Sequence, residues 1–293
     1  LNVVTPVEIL ERHSTDAIRY WACSGRLGTD TAIDEGQMKI GRKLAIKLLN
    51  ASRFVLGSVA PEGPDDPAAV TAAVDRSLLA SLASLVEEAT AAFEGYDHAR
   101  ALERTEAWFW GFCDDYLELV KARAYNREGT FPEPAAASAR AALRLALSVL
   151  VRLLAPILPF TAEEVWSWSH DGAATSVHRA PWPVVEELTA AVAGGASRPG
   201  PTGAGSPEAT GADGDGAYRE AAEALRALRR AKTEAGSSLR APVVRLVVRA
   251  DAGTLSRLRG ASGDLAEAGA VEAFEWVEVT GGDQAGFEVV LAR

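Results

Sequence analysis

The sequence predicts a mainly α protein: an antiparallel helix bundle followed by a small α/β domain. Three observations lead there. Apolar residues recur at helical spacing over long stretches between residues 35 and 154. Short turns bearing Gly and Pro separate these stretches, which suits antiparallel neighbours. Residues 193–216 then hold no large apolar residue, and beyond them strand-like alternation appears.

The elements follow in order. Residues 6–24 read as one or two short helices broken near His13, Ser14 and Thr15. Thr5 is placed as N-cap with Pro6 at the first helical position and Glu8 in the first turn, and Asp16 opens the second helix. The first long helix, 35–56, stops at Gly57, and 61–67 is a turn-rich loop. Alanine and leucine carry a helix over 68–93, which Gly95 punctuates. Residues 97–126 form another, with Ala101, Leu102, Trp108, Phe109, Phe112, Leu117 and Val120 as candidate core. After a turn at 129–134, an apolar helix at 135–154 ends or kinks at Pro156 and Pro159. A short helix at 161–169 has Thr161 as its expected N-cap and Glu163 and Glu164 in its first turn.

The Gly/Ala/Pro/Ser/Asp composition of 193–216 cannot repay its ordering entropy, so a flexible linker is expected there. Past it come a helix at 218–235 with Arg226, Arg229, Arg230 and Lys232, a strand at 243–249, a helix at 253–259, and strands at 271–279 and 287–291. A mostly antiparallel sheet is expected. The three arginines have two readings, phosphate contacts or a solvated amphipathic face.

Composition sets bounds. The chain has 293 residues, 48% of them hydrophobic, which is enough for two domains. Two cysteines, Cys23 and Cys113, and four histidines supply neither a disulfide framework nor a zinc site. That usage fits a reducing compartment, and no apolar run reaches the ~18–20 residues of a membrane span. A soluble, cytoplasmic protein is expected. The chain opens without Met on a strand-like Asn2-Val3-Val4-Thr5-Pro6 that has nothing to pair with, so a fragment is expected.

One helix departs from the acidic background, a formal charge of −10 overall. Between Asp34 and Gly57 it carries Lys39, Arg42, Lys43, Lys47 and Arg53. At about 100° per residue, these cations and Asn50 share one arc of about 140°. Ile40, Leu44, Leu48, Ala51 and Val55 fall on one buried side, and Met38, Leu49 and Leu56 on the other. Phe54 and Ile46 intrude on the cationic arc. Cations interleaved with an aromatic suit single-stranded RNA, where phosphates take the charges and bases stack. The competing reading is an amphipathic helix with a solvated lysine face and Phe54 tucked into a neighbour.

No constellation supports catalysis. Adjacent residues on a helix diverge by about 100°, so neither Asp114-Asp115 nor Glu163-Glu164 converges on a substrate. His13, His98, His170 and His178 show no ligand spacing, and the two-glycine loop Ser24–Gly28 matches no phosphate-binding motif. Neither catalytic nor metal-ligating residues are assigned.

Several segments together resemble the C-terminal part of a class I aminoacyl-tRNA synthetase of the valyl branch. They are NVVTPVEIL, HSTDAIRYW, GRLGTDTAIDEGQM, KLLNASRFVL, LAPILPFTAEEVW and RAPWP. The resemblance covers residues 2–183 well and the remainder more loosely. It implies helices at 1–30 that close the catalytic domain and an anticodon-binding bundle at 31–183, while the residues themselves give a linker at 184–216 and a C-terminal α/β domain at 217–293. Lys47, Asn50, Arg53 and Phe54 match the family's anticodon-reading stretch, with Phe54 as stacking platform and Arg42 and Lys43 as weaker backbone contacts. The implied partners are a valine-specific tRNA, through its anticodon loop, and a catalytic domain that this chain lacks. The complete enzyme would adenylate valine using ATP and Mg²⁺, whereas this chain binds no cofactor and is expected to be inactive alone. An isoleucyl or leucyl relative, or a non-enzymatic helical interaction module, are the alternatives.

Overall fold

The computed structural model describes residues 6–58, 67–170, 175–192, 216–280 and 285–292. Thr5 and the expected linker, apart from 184–192 and Gly216, lie outside them. The molecule is mainly helical with one three-stranded sheet. It forms two compact units, one drawn from within 1–65, 82–110 and 143–187, the other from within 66–81, 111–142 and 188–293.

The first unit opens with α1 (Pro6–Arg12) and α2 (Thr15–Ser24). The Ser14 side chain caps α2 by accepting from the Ala17 N–H. Next comes α3 (Glu35–Ser58), which runs past the expected stop at Gly57. Parts of α4 (Ala73–Glu94), α5 (His98–Gly111) and α7 (Glu133–Leu154) also belong here, with α8 (Pro159–Ser167). Ile9, Ala17 and Met38 form a small core where α1, α2 and α3 meet.

The sequence placed Thr161 as the N-cap of α8, and the structure corrects this. The helix starts two residues earlier, on Pro159, whose fixed φ suits a first turn. Its free N–H groups are satisfied from α2: buried Asp16 accepts from Phe160 N at 3.2 Å, Thr161 N at 2.7 Å and Thr161 Oγ1 at 2.5 Å. A cap supplied from 145 residues away leaves no local signature. Arg19 adds a bond to the Pro156 carbonyl at 2.7 Å.

In the second unit, a π-helical turn (Phe112–Tyr116) joins α5 to α6 (Leu117–Tyr125). Asn126 ends α6 in the left-handed region at φ 41°, and its amide group both donates to and accepts from the backbone of Phe131. Helix α9 (Glu186–Val192) occupies the start of the expected linker, with Leu188 and Ala191 buried.

Helix α10 (Ala217–Glu234) turns Ala221, Ala224, Leu225 and Leu228 inward. It is followed by β1 (Val243–Ala250), α11 (Ala252–Gly260), α12 (Ser262–Gly269), β2 (Phe274–Glu278) and β3 (Gly286–Leu291). The sheet order is β2-β1-β3 and the pairing is mixed rather than mostly antiparallel. Leu246 faces Phe274 in the parallel β1–β2 pair, and Val248 faces Phe287 in the antiparallel β1–β3 pair. A parallel pair needs a crossover connection, and α11 and α12 provide it. Helix α12 was absent from the sequence reading because its short SGDLAEAG run has too few turns to show a period.

Candidate nucleic-acid interface

Helix α3 is built for its position. Asp34 caps it, its carboxylate accepting from Gly36 N at 2.7 Å and Gln37 N at 3.2 Å. Glu35 in the first turn pairs with Arg12 at 2.8 Å. Met38, Leu44, Leu48 and Val55 are fully buried and Ala51 nearly so, which makes one flank of the helix core.

Gly41 sets how closely α3 approaches α2. A Cβ at this position would lie 2.5 Å from Cβ of Tyr20, well inside van der Waals contact. Gly41→Ala is therefore expected to force the helices apart at a cost of about 1–3 kcal/mol. The gain in helix propensity, about 1 kcal/mol, matches only the lower end of that range. Urea denaturation of the variant checks this: a lower midpoint is expected, and an unchanged or raised one would mean that α2 and α3 separate freely.

The opposite face carries the predicted residues. Lys39, Arg42, Lys43, Asn50 and Arg53 are exposed, while Lys47 and Phe54 are half-buried. Lys39, Arg42 and Lys43 have no ion-pair partner among the described residues. Their charges are therefore not neutralised locally and remain to act on a polyanion. Ile46 is exposed, as its place on the arc implies. Ile40 is a correction: it was expected on a buried side but is 38% exposed, because it sits at the margin between the arc and the core. Leu49 and Leu56, expected to be buried, are half-buried.

The structure adds two aromatic partners that sequence reasoning missed. Lys47 Nζ stands over the Trp110 ring at 5.6 Å from its centroid, and the Arg53 guanidinium over Trp168 at 5.4 Å. Trp110 Nε1 donates to Glu106 at 3.1 Å, and the other oxygen of Glu106 accepts from Tyr20 Oη at 2.6 Å. Burial, and then the hydrogen bond to Glu106, push the Tyr20 phenol well above its ordinary range, which keeps it a donor. Trp168 Nε1 donates to Glu164 at 3.0 Å. The available signal was a repeated Glu-x-x-x-Trp, at Glu106–Trp110 and Glu164–Trp168, which puts both residues on one helical face.

The remaining candidates have structural partners. Asp115 pairs with Arg226 at 3.1 Å and Arg229 at 3.7 Å, so these two arginines serve the α10 packing, whereas Arg230 is exposed. Glu163 accepts from Ser176 Oγ and Val177 N. Among the described residues, no group of three or more His, Cys, Asp or Glu is placed to hold a metal ion. Likewise, no described helix is long and apolar enough to cross a membrane.

Residues 75–248 match the family described as anticodon-binding domain of tRNA ligase. The chain is 55% identical over 92% of its length to a valine–tRNA ligase of Thermobifida fusca. It is 50% identical over 94% to that of Salinispora tropica, and 46% over 100% to that of Leifsonia xyli subsp. xyli. It spans only 28%, 31% and 31% of those three proteins. The crystal structure of a LeuRS–tRNA–LeuAMS ternary complex from Agrobacterium radiobacter K84 overlays 64% of the chain at a TM-score of 0.44 and 22% identity, too distant to bear on function. The family match takes in more than half of the chain, and the chain belongs to the anticodon-binding domain family of tRNA ligases.

Proposed function

We propose that this chain is the tRNA-recognising part of a valine–tRNA ligase and that α3 reads the anticodon loop. The observation that carries this is the face of α3. Unneutralised Lys39, Arg42 and Lys43 run along it beside Asn50, Phe54, Lys47 and Arg53, on a helix whose other flank is buried core. The valine ligases among its relatives favour valine over isoleucine or leucine.

In this reading Lys39, Arg42 and Lys43 take backbone phosphates, which give affinity and register but carry no sequence information. Identity comes from loop bases splayed out of their stack. Phe54 offers one of them a ring face, and the Asn50 amide has both a donor and an acceptor for a base edge. Lys47 and Arg53 add donors to base edges or phosphates. The chain contributes positioning to the overall reaction, orienting the tRNA towards a catalytic part of a longer cytoplasmic enzyme. In this reading, adenylation of valine with ATP and Mg²⁺ belongs to that other part. Alone, the chain is expected to give no valine-dependent exchange of pyrophosphate into ATP.

A salt titration tests the proposal. Binding to the anticodon stem-loop of valine tRNA is expected to weaken steeply as salt rises, by about 0.7 decade per decade of salt for each single-stranded phosphate contacted. Affinity indifferent to salt would contradict a phosphate-binding role for α3.

A further inference from the structure

We propose that Trp110 and Trp168 are two further base-stacking platforms bracketing the face of α3, each covered in the RNA-free protein by an α3 cation that moves to a phosphate when RNA binds. The proposal rests on the reading of α3 as an RNA-binding helix and extends it from one aromatic to three.

Trp110 lies within α5 and Trp168 at the C-terminal cap of α8, yet the two are mounted alike. In α5 and in α8 a glutamate one turn earlier accepts the indole N–H, at 3.1 Å for Trp110 and 3.0 Å for Trp168. This bond ties down the polar edge of each ring and fixes its plane. A face of each ring is turned to a cation of α3, Lys47 at 5.6 Å and Arg53 at 5.4 Å. Both indoles are half-buried, so they are anchored without being sealed into the core.

Their placement gives the arrangement its meaning. Lys47 and Arg53 lie about 120° apart around α3, near the two edges of the cationic arc. The tryptophans beneath them therefore stand on either side of Lys43, Asn50 and Phe54. The carboxylates of Glu106 and Glu164 beside the rings disfavour a phosphate there, whereas a neutral base is not repelled. Stacking a base on an indole contributes about 1–3 kcal/mol, against about 0.5–2 kcal/mol for a cation–π contact, so a base competes with the cation for the ring face. The displaced Lys47 and Arg53 then stand beside the backbone of the nucleotide that displaced them. A purely structural role, in which each ring only steadies its cation, makes a different prediction for the salt dependence.

The test uses the full chain and the valine anticodon stem-loop. Trp110→Leu and Trp168→Leu are each expected to weaken binding about 5-fold or more, on the scale of one stacked base, with the salt slope unchanged. Trp110→Phe and Trp168→Phe keep a ring face and are expected to bind within about 3-fold of the parent, comparable to the scatter of single contacts. The phenylalanine variants also preserve the packing if a leucine variant fails to fold. In them, quenching of tryptophan emission by the stem-loop is expected to drop relative to the parent chain. Leucine variants that bind normally, leucine variants whose salt slope falls along with affinity, or quenching untouched by either phenylalanine substitution would each overturn the proposal. A parent chain that binds no stem-loop at any salt overturns the reading of α3 itself.

Discussion

Replacing Arg123 by methionine is expected to destabilise the protein by about 3–5 kcal/mol, the usual penalty for stranding a buried charge by removing its partner. The guanidinium, on α6, is 4% exposed and sits between two carboxylates. Nε reaches Asp264 on α12 at 2.8 and 3.0 Å, and Nη1 and Nη2 reach the two oxygens of Asp75 on α4 at 2.8 Å each. A further bond runs to the Ala135 carbonyl on α7 at 2.9 Å. Asp75 also accepts from Tyr116 Oη at 2.9 Å and Ser138 Oγ at 2.6 Å. Burial works against the charge on Arg123, but Asp75 and then Asp264 outweigh it and raise its pKa.

Without the arginine, two carboxylates would face each other in the core. Urea denaturation followed by far-UV circular dichroism reads the loss. A change below about 1 kcal/mol would mean that water reaches the network. Burial pushes Asp264 up to about 6, opposed by Arg123 and reinforced by Asp75. Its native pKa thus lies above the unfolded value of about 4, so this group's contribution is full below pH 4 and is lost as pH rises through 6. Asp264→Asn is expected to remove that component of the stability profile between pH 4 and 7.

The second large effect falls on recognition. Phe54→Ala is expected to weaken discrimination among anticodons by about 1–3 kcal/mol, on the scale of one stacked base. Phe54 is half-buried, so the substitution also perturbs packing, and the two effects must be separated. Binding to an unrelated stem-loop serves as reference, because loss of packing would weaken both complexes together while loss of stacking would act on the cognate one. Phe54→Ala that folds and discriminates like the parent would make Phe54 a packing residue.

Much of the first unit was legible because its signals are local. Helix ends announce themselves through Gly, Pro and capping residues, and the face of α3 follows from the helical period alone. Ile40 shows the limit of that method, since an angle at the edge of an arc leaves burial to the neighbours. The features that were not legible all depend on distant residues. Asp16 caps a helix 144 residues away, and Arg123 meets Asp264 across 141. The tryptophans under Lys47 and Arg53 lie on α5 and at the C-terminal cap of α8, and no periodicity within α3 points to them. In the sheet, alternation identified strands but not their direction, because parallel and antiparallel pairs bury the same alternate residues.

The central claim is that this chain reads an anticodon and does not merely attract RNA. Its most direct test compares, at one ionic strength, the Kd for the valine anticodon stem-loop with that for the same stem-loop carrying another amino acid's anticodon. The account predicts roughly tenfold or greater preference for the valine anticodon, equivalent to about 1.4 kcal/mol from base contacts at the α3 face. Equal affinity for the two would contradict it, leaving α3 a cationic surface without sequence discrimination.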